Sequence, residues 1–133
     1  MSQNYNFKSL SVAKNGQDKK EAKTGDPNVL TAFEIGETRT IDFISLDGTR
    51  QNFTYTHYLT SWLGKDGDER VIKIFFATHL VTIKGFCLDA LYDALTKLSV
   101  ISVKANDERY QSLIENGKTF VTDIKVIWKK EIE

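Results

Sequence analysis

The chain has 133 residues, of which 41% are hydrophobic and 27% are charged, and its formal net charge is zero. A chain of this length forms one domain that can bury a core without a metal or a disulfide. The lack of a basic excess argues against non-specific binding to nucleic acid or another polyanion. Cys87 is the single cysteine, which excludes an intramolecular disulfide.

The first residues carry neither the basic region nor the apolar run of a signal peptide. No apolar stretch approaches the roughly 20 residues that a membrane-spanning helix needs. From these two features we expect a cytoplasmic protein that does not contact a membrane.

The N-terminal segment differs in composition from the rest of the chain. Residues 16–27 contain no large apolar side chain, so they cannot offset the entropy of ordering. An apolar set before them favours an edge strand over 7–12 that pairs with 29–35, and a disordered tail is the alternative. We therefore predict a polar, partly mobile segment over 1–28 and a single α+β domain over 29–133.

Short strands separated by turn signals are predicted from residue 29 onward. The run 71–76 is apolar at nearly every position, which places it centrally in a sheet. A two-residue hairpin loop at 47–48 would pair apolar residues of one strand with polar residues of the next. We therefore predict an odd-length loop or a bulge, which pairs Phe43 with Phe53. The predicted strands are 29–35, 40–46, 51–63, 71–76, 80–84, 100–103 and 120–128.

A stripe of leucines predicts one main helix over about 86–98. The leucines lie three, four and three residues apart: Leu88, Leu91, Leu95 and Leu98. A short second helix is predicted over about 107–115, with Tyr110, Leu113 and Ile114 pointing inward. Together these elements predict an α+β fold, in which the main helix packs on a mostly antiparallel curved sheet or a partly open barrel.

Three aromatic residues form the candidate binding surface. Tyr55, Tyr58 and Trp62 all lie on the predicted strand 51–63. An exposed aromatic strand can stack bases or receive a partner protein. The alternative is that these side chains form a second layer of the core.

The candidate reactive or ligand residues are His57, His79 and Cys87. Cys87 falls in the first turn of the predicted helix, where the helix dipole favours a thiolate. Its apolar neighbours favour an inert core cysteine instead. None of the three has the short spacing of a known metal motif, so we predict no metal site, no cofactor and no catalytic residue.

The lack of a polar catalytic constellation favours a small non-enzymatic binding or protein-interaction module. Two alternatives remain open: a small-ligand-binding protein or enzyme with a pocket between helix and sheet, and single-stranded nucleic acid binding on the aromatic strand. We expect the partner to be another protein or a second copy of the chain, in a homodimer, in preference to nucleic acid.

Overall fold

A computed structural model describes the backbone of residues 31–132 and the side chains of residues 31–130. The strand predicted over 7–12 and the loop predicted over 16–27 lie outside the described residues. The division of the chain at residue 28 therefore stays a prediction.

Within the described residues, eight strands form two four-stranded sheets. The strands are β1 (Phe33–Ile35), β2 (Thr40–Ile44), β3 (Arg50–Thr54), β4 (Tyr58–Asp66), β5 (Glu69–Phe76), β6 (His79–Phe86), β7 (Val100–Lys104) and β8 (Phe120–Trp128). The first sheet has the order β8-β6-β5-β4 and is antiparallel, and the second has the order β1-β7-β2-β3 with a parallel β2–β7 pair. The predicted α+β fold with mostly antiparallel strands is confirmed, and the eight described strands do not close into a barrel.

The main helix, α1, runs over Asp89–Thr96 and is shorter than the predicted 86–98. Strand β6 continues through Phe86, and Cys87 and Leu98 both have a φ of 54°, outside the helical region. These two residues therefore limit the helix on either side. The leucine stripe points inward as predicted, except that Leu98 is 40% exposed.

The predicted second helix is a 3-10 helix over Glu108–Leu113. The Asp107 carboxylate caps it by accepting a hydrogen bond of 3.0 Å from the Arg109 N–H. The prediction that Tyr110 and Leu113 point inward is wrong, because the segment has no buried residue. With three residues per turn, it does not produce the stripe of an α-helix. A short helix, α2 (Lys129–Ile132), follows β8.

The β2–β3 connection is an odd-length loop, as predicted. The Ser45 N–H donates to the Thr49 carbonyl at 2.8 Å, and the Gly48 N–H donates to the Ser45 carbonyl at 2.9 Å. Gly48 has a φ of 89°, which a residue with a side chain rarely adopts. Residues 46–48 thus form a three-residue loop with glycine in the left-handed position.

The predicted pairing across this hairpin is wrong. Phe53 pairs with Ile41, and Phe43 pairs with Gln51. The observed register differs from the predicted one by two residues, so Phe53 keeps the same face of the sheet. The hydrophobic pattern alone cannot separate registers that differ by two.

The core lies between the inner faces of the two sheets and α1. Strand β5 pairs with β4 on one side and β6 on the other, which confirms its predicted central position. The Phe76 ring from β5 lies 6.2 Å from the Phe43 ring and 4.6 Å from the Phe53 ring of the second sheet, measured between centroids. Leu91 and Leu95 of α1 complete the same cluster. Each sheet is left with an outer face.

Candidate functional site

The predicted strand over 51–63 is interrupted by one turn of 3-10 helix, Tyr55–His57. The Thr54 hydroxyl accepts a hydrogen bond of 3.3 Å from the Thr56 N–H. A threonine side chain that bonds its own backbone in this way competes with a strand ladder. The prediction of one continuous strand is therefore wrong.

Tyr55 and Tyr58 lie against the core. Tyr55 is buried, and its hydroxyl donates a hydrogen bond of 2.6 Å to the Val100 carbonyl. Burial raises the pKa of Tyr55 to about 12. Tyr58 is half-buried, with its ring 6.1 Å from the Phe76 ring. Of the three predicted surface aromatics, Trp62 is the one on an open surface.

Trp62 lies on the outer face of the first sheet and is 40% exposed. It pairs with Lys73 of β5, whose ammonium lies 5.8 Å from the centroid of the indole. A Cβ at Gly64 would lie 2.9 Å from Cζ3 of Trp62. The indole therefore covers Gly64, and a larger residue there would displace it.

An apolar row crosses the same outer face. Phe75 pairs with Leu80, and Leu80 pairs with Ile127, so the three side chains share one side of the sheet. They are partly exposed and do not belong to the core between the sheets. This surface, the Trp62 face, consists of Trp62, Lys73, Phe75, Leu80, Thr82 and Ile127. In the described part of the chain, α1 and the second sheet pack against the opposite face.

The three candidate reactive residues do not meet. His79 begins β6, with its ring 4.3 Å from the Trp128 ring. His57 is exposed near the same end of the sheet, where its carbonyl accepts a hydrogen bond of 2.8 Å from the Ala77 N–H. Cys87 follows the other end of β6, roughly 25 Å from His79 along an extended strand.

Cys87 is exposed, so the prediction of a core cysteine in the first helical turn is wrong. The residue lies in the sharp turn between β6 and α1, and its neighbour Phe86 is 40% exposed. Among residues 31–130, no group of three or more His, Cys, Asp or Glu side chains is placed to hold a metal ion.

The outer face of the second sheet carries a groove of about 440 Å³ that the sequence analysis did not single out. Strand pairing arranges its lining side chains in rows across the sheet. One row contains Lys104, Ile44 and Arg50, and the next contains Glu34, Ser102, Asp42 and Asn52. The volume falls within the range of small-molecule sites, about 300–1,000 Å³.

Asp42 organises the polar side of this groove. The Asn52 amide donates a hydrogen bond of 2.8 Å to Oδ1, and Arg50 Nε donates one of 3.0 Å to Oδ2. Arg50 Nη2 also donates to Oδ2. The hydrogen bond from Asn52 and then that from Arg50 lower the pKa of the Asp42 carboxyl. The carboxylate thus stays ionised and holds the guanidinium in place.

No protein-family model, no curated protein and no solved structure matches this chain. Within residues 31–132, no helix has the length and hydrophobicity that a membrane crossing needs. The function is therefore inferred from the two outer sheet faces of the molecule itself.

Proposed function

We propose that this protein is a non-enzymatic interaction module that self-associates through the Trp62 face. The observation that carries this proposal is the apolar row Phe75–Leu80–Ile127, on a sheet whose other face is already packed. An antiparallel sheet with one face on the core normally carries polar residues on the other. A partly exposed apolar row beside a tryptophan is typical of a contact surface.

A second copy of the chain fits this surface for two reasons. The formal net charge is zero, so two copies do not repel each other at long range. A two-fold contact sets the apolar row against its own copy and needs no other complementary surface. The neighbouring row carries Lys73 and Lys125, whose aliphatic stems can pack while their ammonium groups extend to solvent.

Sedimentation velocity over a wide concentration range tests the proposal. We expect the wild-type protein to shift from monomer to dimer as concentration rises, and Phe75→Lys to stay monomeric. Leu113→Lys is the matched control, because Leu113 is 69% exposed on the 3-10 segment outside the Trp62 face. It should dimerise like the wild type.

Circular dichroism establishes that each variant is folded. If Phe75→Lys does not fold, Ile127→Lys on the edge strand β8 tests the same row. A wild-type protein that stays monomeric at the highest concentration contradicts the proposal. So does a folded row variant that dimerises as the wild type does.

Single-stranded nucleic acid binding is a second candidate function of the same face. It is favoured by the position of the Lys73 ammonium, 5.8 Å from the centroid of the Trp62 ring, because an aromatic ring beside a cation can stack a base. In a Trp128→Phe background, Trp62 is the only tryptophan that reports binding. Quenching by an oligonucleotide that weakens with salt supports this function, and no change at low salt removes it.

A further inference from the structure

Two cationic side chains flank one strip of the groove on the second sheet. Arg50 of β3 and Lys104 of β7 both pair with Ile44 of β2. Neighbouring strands lie about 4.8 Å apart, so the Cα atoms of the two cationic residues are about 10 Å apart. All three residues line the groove, with the apolar Ile44 between the two charges.

Arg50 is held in position before any ligand arrives. Asp42 accepts two of its five N–H donors, through Nε and Nη2, while 67% of the Arg50 side chain stays exposed. The remaining donors are available to a ligand. A side chain that is already ordered loses less entropy on binding, so Asp42 acts as a positioning residue.

Lys104 supplies a positive charge that forms no salt bridge with a carboxylate of the described residues. Glu34 lies on the adjacent row, paired with Ser102. The groove lining is formally neutral, because Glu34 and Asp42 balance Arg50 and Lys104, and the strip between the two cations is its positive part. Ile44 and Ile101 favour contact with carbon atoms.

We infer that this groove binds a small organic anion, whose carboxylate or phosphate group lies between the Arg50 guanidinium and the Lys104 ammonium. A carboxylate and a phosphate both present oxygen atoms that accept charge-assisted hydrogen bonds. The Ser102 hydroxyl, on the row of Asp42, is placed to meet a polar substituent of the ligand. This site lies on a different sheet from the Trp62 face and does not depend on self-association.

Titration of the isotope-labelled chain by NMR tests the site, with acetate and methyl phosphate as probes and sodium chloride as the ionic control. We expect saturable shifts of the Ile44, Arg50 and Lys104 amides with at least one probe. Tighter binding of acetate identifies a carboxylate ligand, and tighter binding of methyl phosphate identifies a phosphate ligand.

Variants separate this site from general attraction of anions. Arg50→Gln and Lys104→Gln should each weaken binding about tenfold, as expected for the loss of one charge-assisted contact. Lys97→Gln, an exposed lysine next to α1, should bind like the wild type. Amide dispersion in the same spectra establishes that each variant is folded, and Arg50→Ala replaces Arg50→Gln if the latter does not fold.

Three results would overturn the inference. They are shifts that do not saturate, shifts that chloride reproduces equally, and binding that the folded variants at Arg50 and Lys104 leave unchanged. The monomeric Phe75→Lys protein should bind the probes as the wild type does. Failure of self-association and failure of this site are therefore separate outcomes.

Discussion

The hydroxyl of Tyr55 donates a hydrogen bond of 2.6 Å to the backbone carbonyl of Val100. It joins the 3-10 turn after β3 to the start of β7, although β2 separates β3 from β7 in the second sheet. The side chain is buried, which raises the pKa of Tyr55 from 10.0 to about 12. A single phenol therefore links two non-neighbouring parts of the sheet.

Tyr55 should make the protein lose stability in alkali. The folded state keeps the phenol neutral up to about pH 12, whereas the unfolded chain ionises near pH 10.0. The contribution of Tyr55 is therefore complete below pH 10.0 and is lost as the pH rises through about 12. Tyr55→Phe should lower the free energy of unfolding by about 1–2 kcal/mol at neutral pH and flatten the alkaline decline.

Urea unfolding at a series of pH values measures both effects. Tyr110→Phe is the matched control, because Tyr110 is exposed on the 3-10 segment. It should leave the neutral stability and the alkaline profile unchanged. Equal profiles for Tyr55→Phe and the wild type would contradict the structural role of the hydrogen bond.

The Asp42 carboxylate should contribute stability that is lost in acid. Its pKa lies below the ordinary 3.8, because Asn52 and Arg50 bond the ionised form. The contribution is present above pH 3.8 and is lost as the pH falls through the lowered pKa. Asp42→Asn should cost about 0.5–1 kcal/mol at neutral pH and give a shallower loss in acid.

The hydrogen bond from the Asn52 amide is the largest cause of the lowered Asp42 pKa. The pKa of Asp42 in an Asn52 variant therefore tests this hydrogen bond independently of stability. Asn52→Ala should raise the pKa of Asp42, as followed by the carboxyl carbon resonance in an NMR titration. An unchanged Asp42 titration in this variant would show that the hydrogen bond does not form in solution.

Alanine substitutions along the leucine stripe should lower the free energy of unfolding by different amounts. Leu91 is fully buried in the core, so Leu91→Ala should lower the free energy of unfolding by about 2–5 kcal/mol. Leu98 belongs to the same stripe in sequence but lies beyond α1 and is 40% exposed. Leu98→Ala should cost less than about 1 kcal/mol. Equal losses in chemical denaturation would place both residues in the core, against the structure.

The exposed thiol of Cys87 should react in the native protein. Because Cys87 lies in the turn between β6 and α1, iodoacetamide should modify it completely without denaturant. Mass spectrometry measures the modified fraction, and Cys87→Ser is the unreactive control. A thiol that reacts only after unfolding would mean that Cys87 is buried, as the sequence analysis predicted.

Strong hydrophobic patterns predicted those elements of the fold that are determined by a single stretch of sequence. The apolar run of β5 predicted its central position in the sheet, and the leucine stripe of α1 predicted the helix that packs on it. The 3-10 turn at Tyr55 leaves no such trace. Its only local signal is Thr54, whose side chain bonds the backbone two residues later.

The two surface sites could not be predicted from single strands, because each depends on which residues the strand pairing brings together. The sequence of its strand predicts the exposure of Trp62, but the connection of Trp62 to Phe75, Leu80 and Ile127 depends on three pairing registers. The groove depends on the parallel pairing of β7 with β2. A parallel neighbour is separated by a long connection, so Lys104 shows no local pattern with Arg50.

The insertion of β7 between β1 and β2 has a consequence for synthesis on the ribosome. In the described part of the chain, β1 pairs only with β7, and β2 pairs with β3 but lacks its second neighbour until residues 100–104 have emerged. Such distant closure is slow relative to local hairpins. The first sheet up to β6 can assemble during translation, whereas the anion-binding groove becomes complete only when most of the polypeptide has been made.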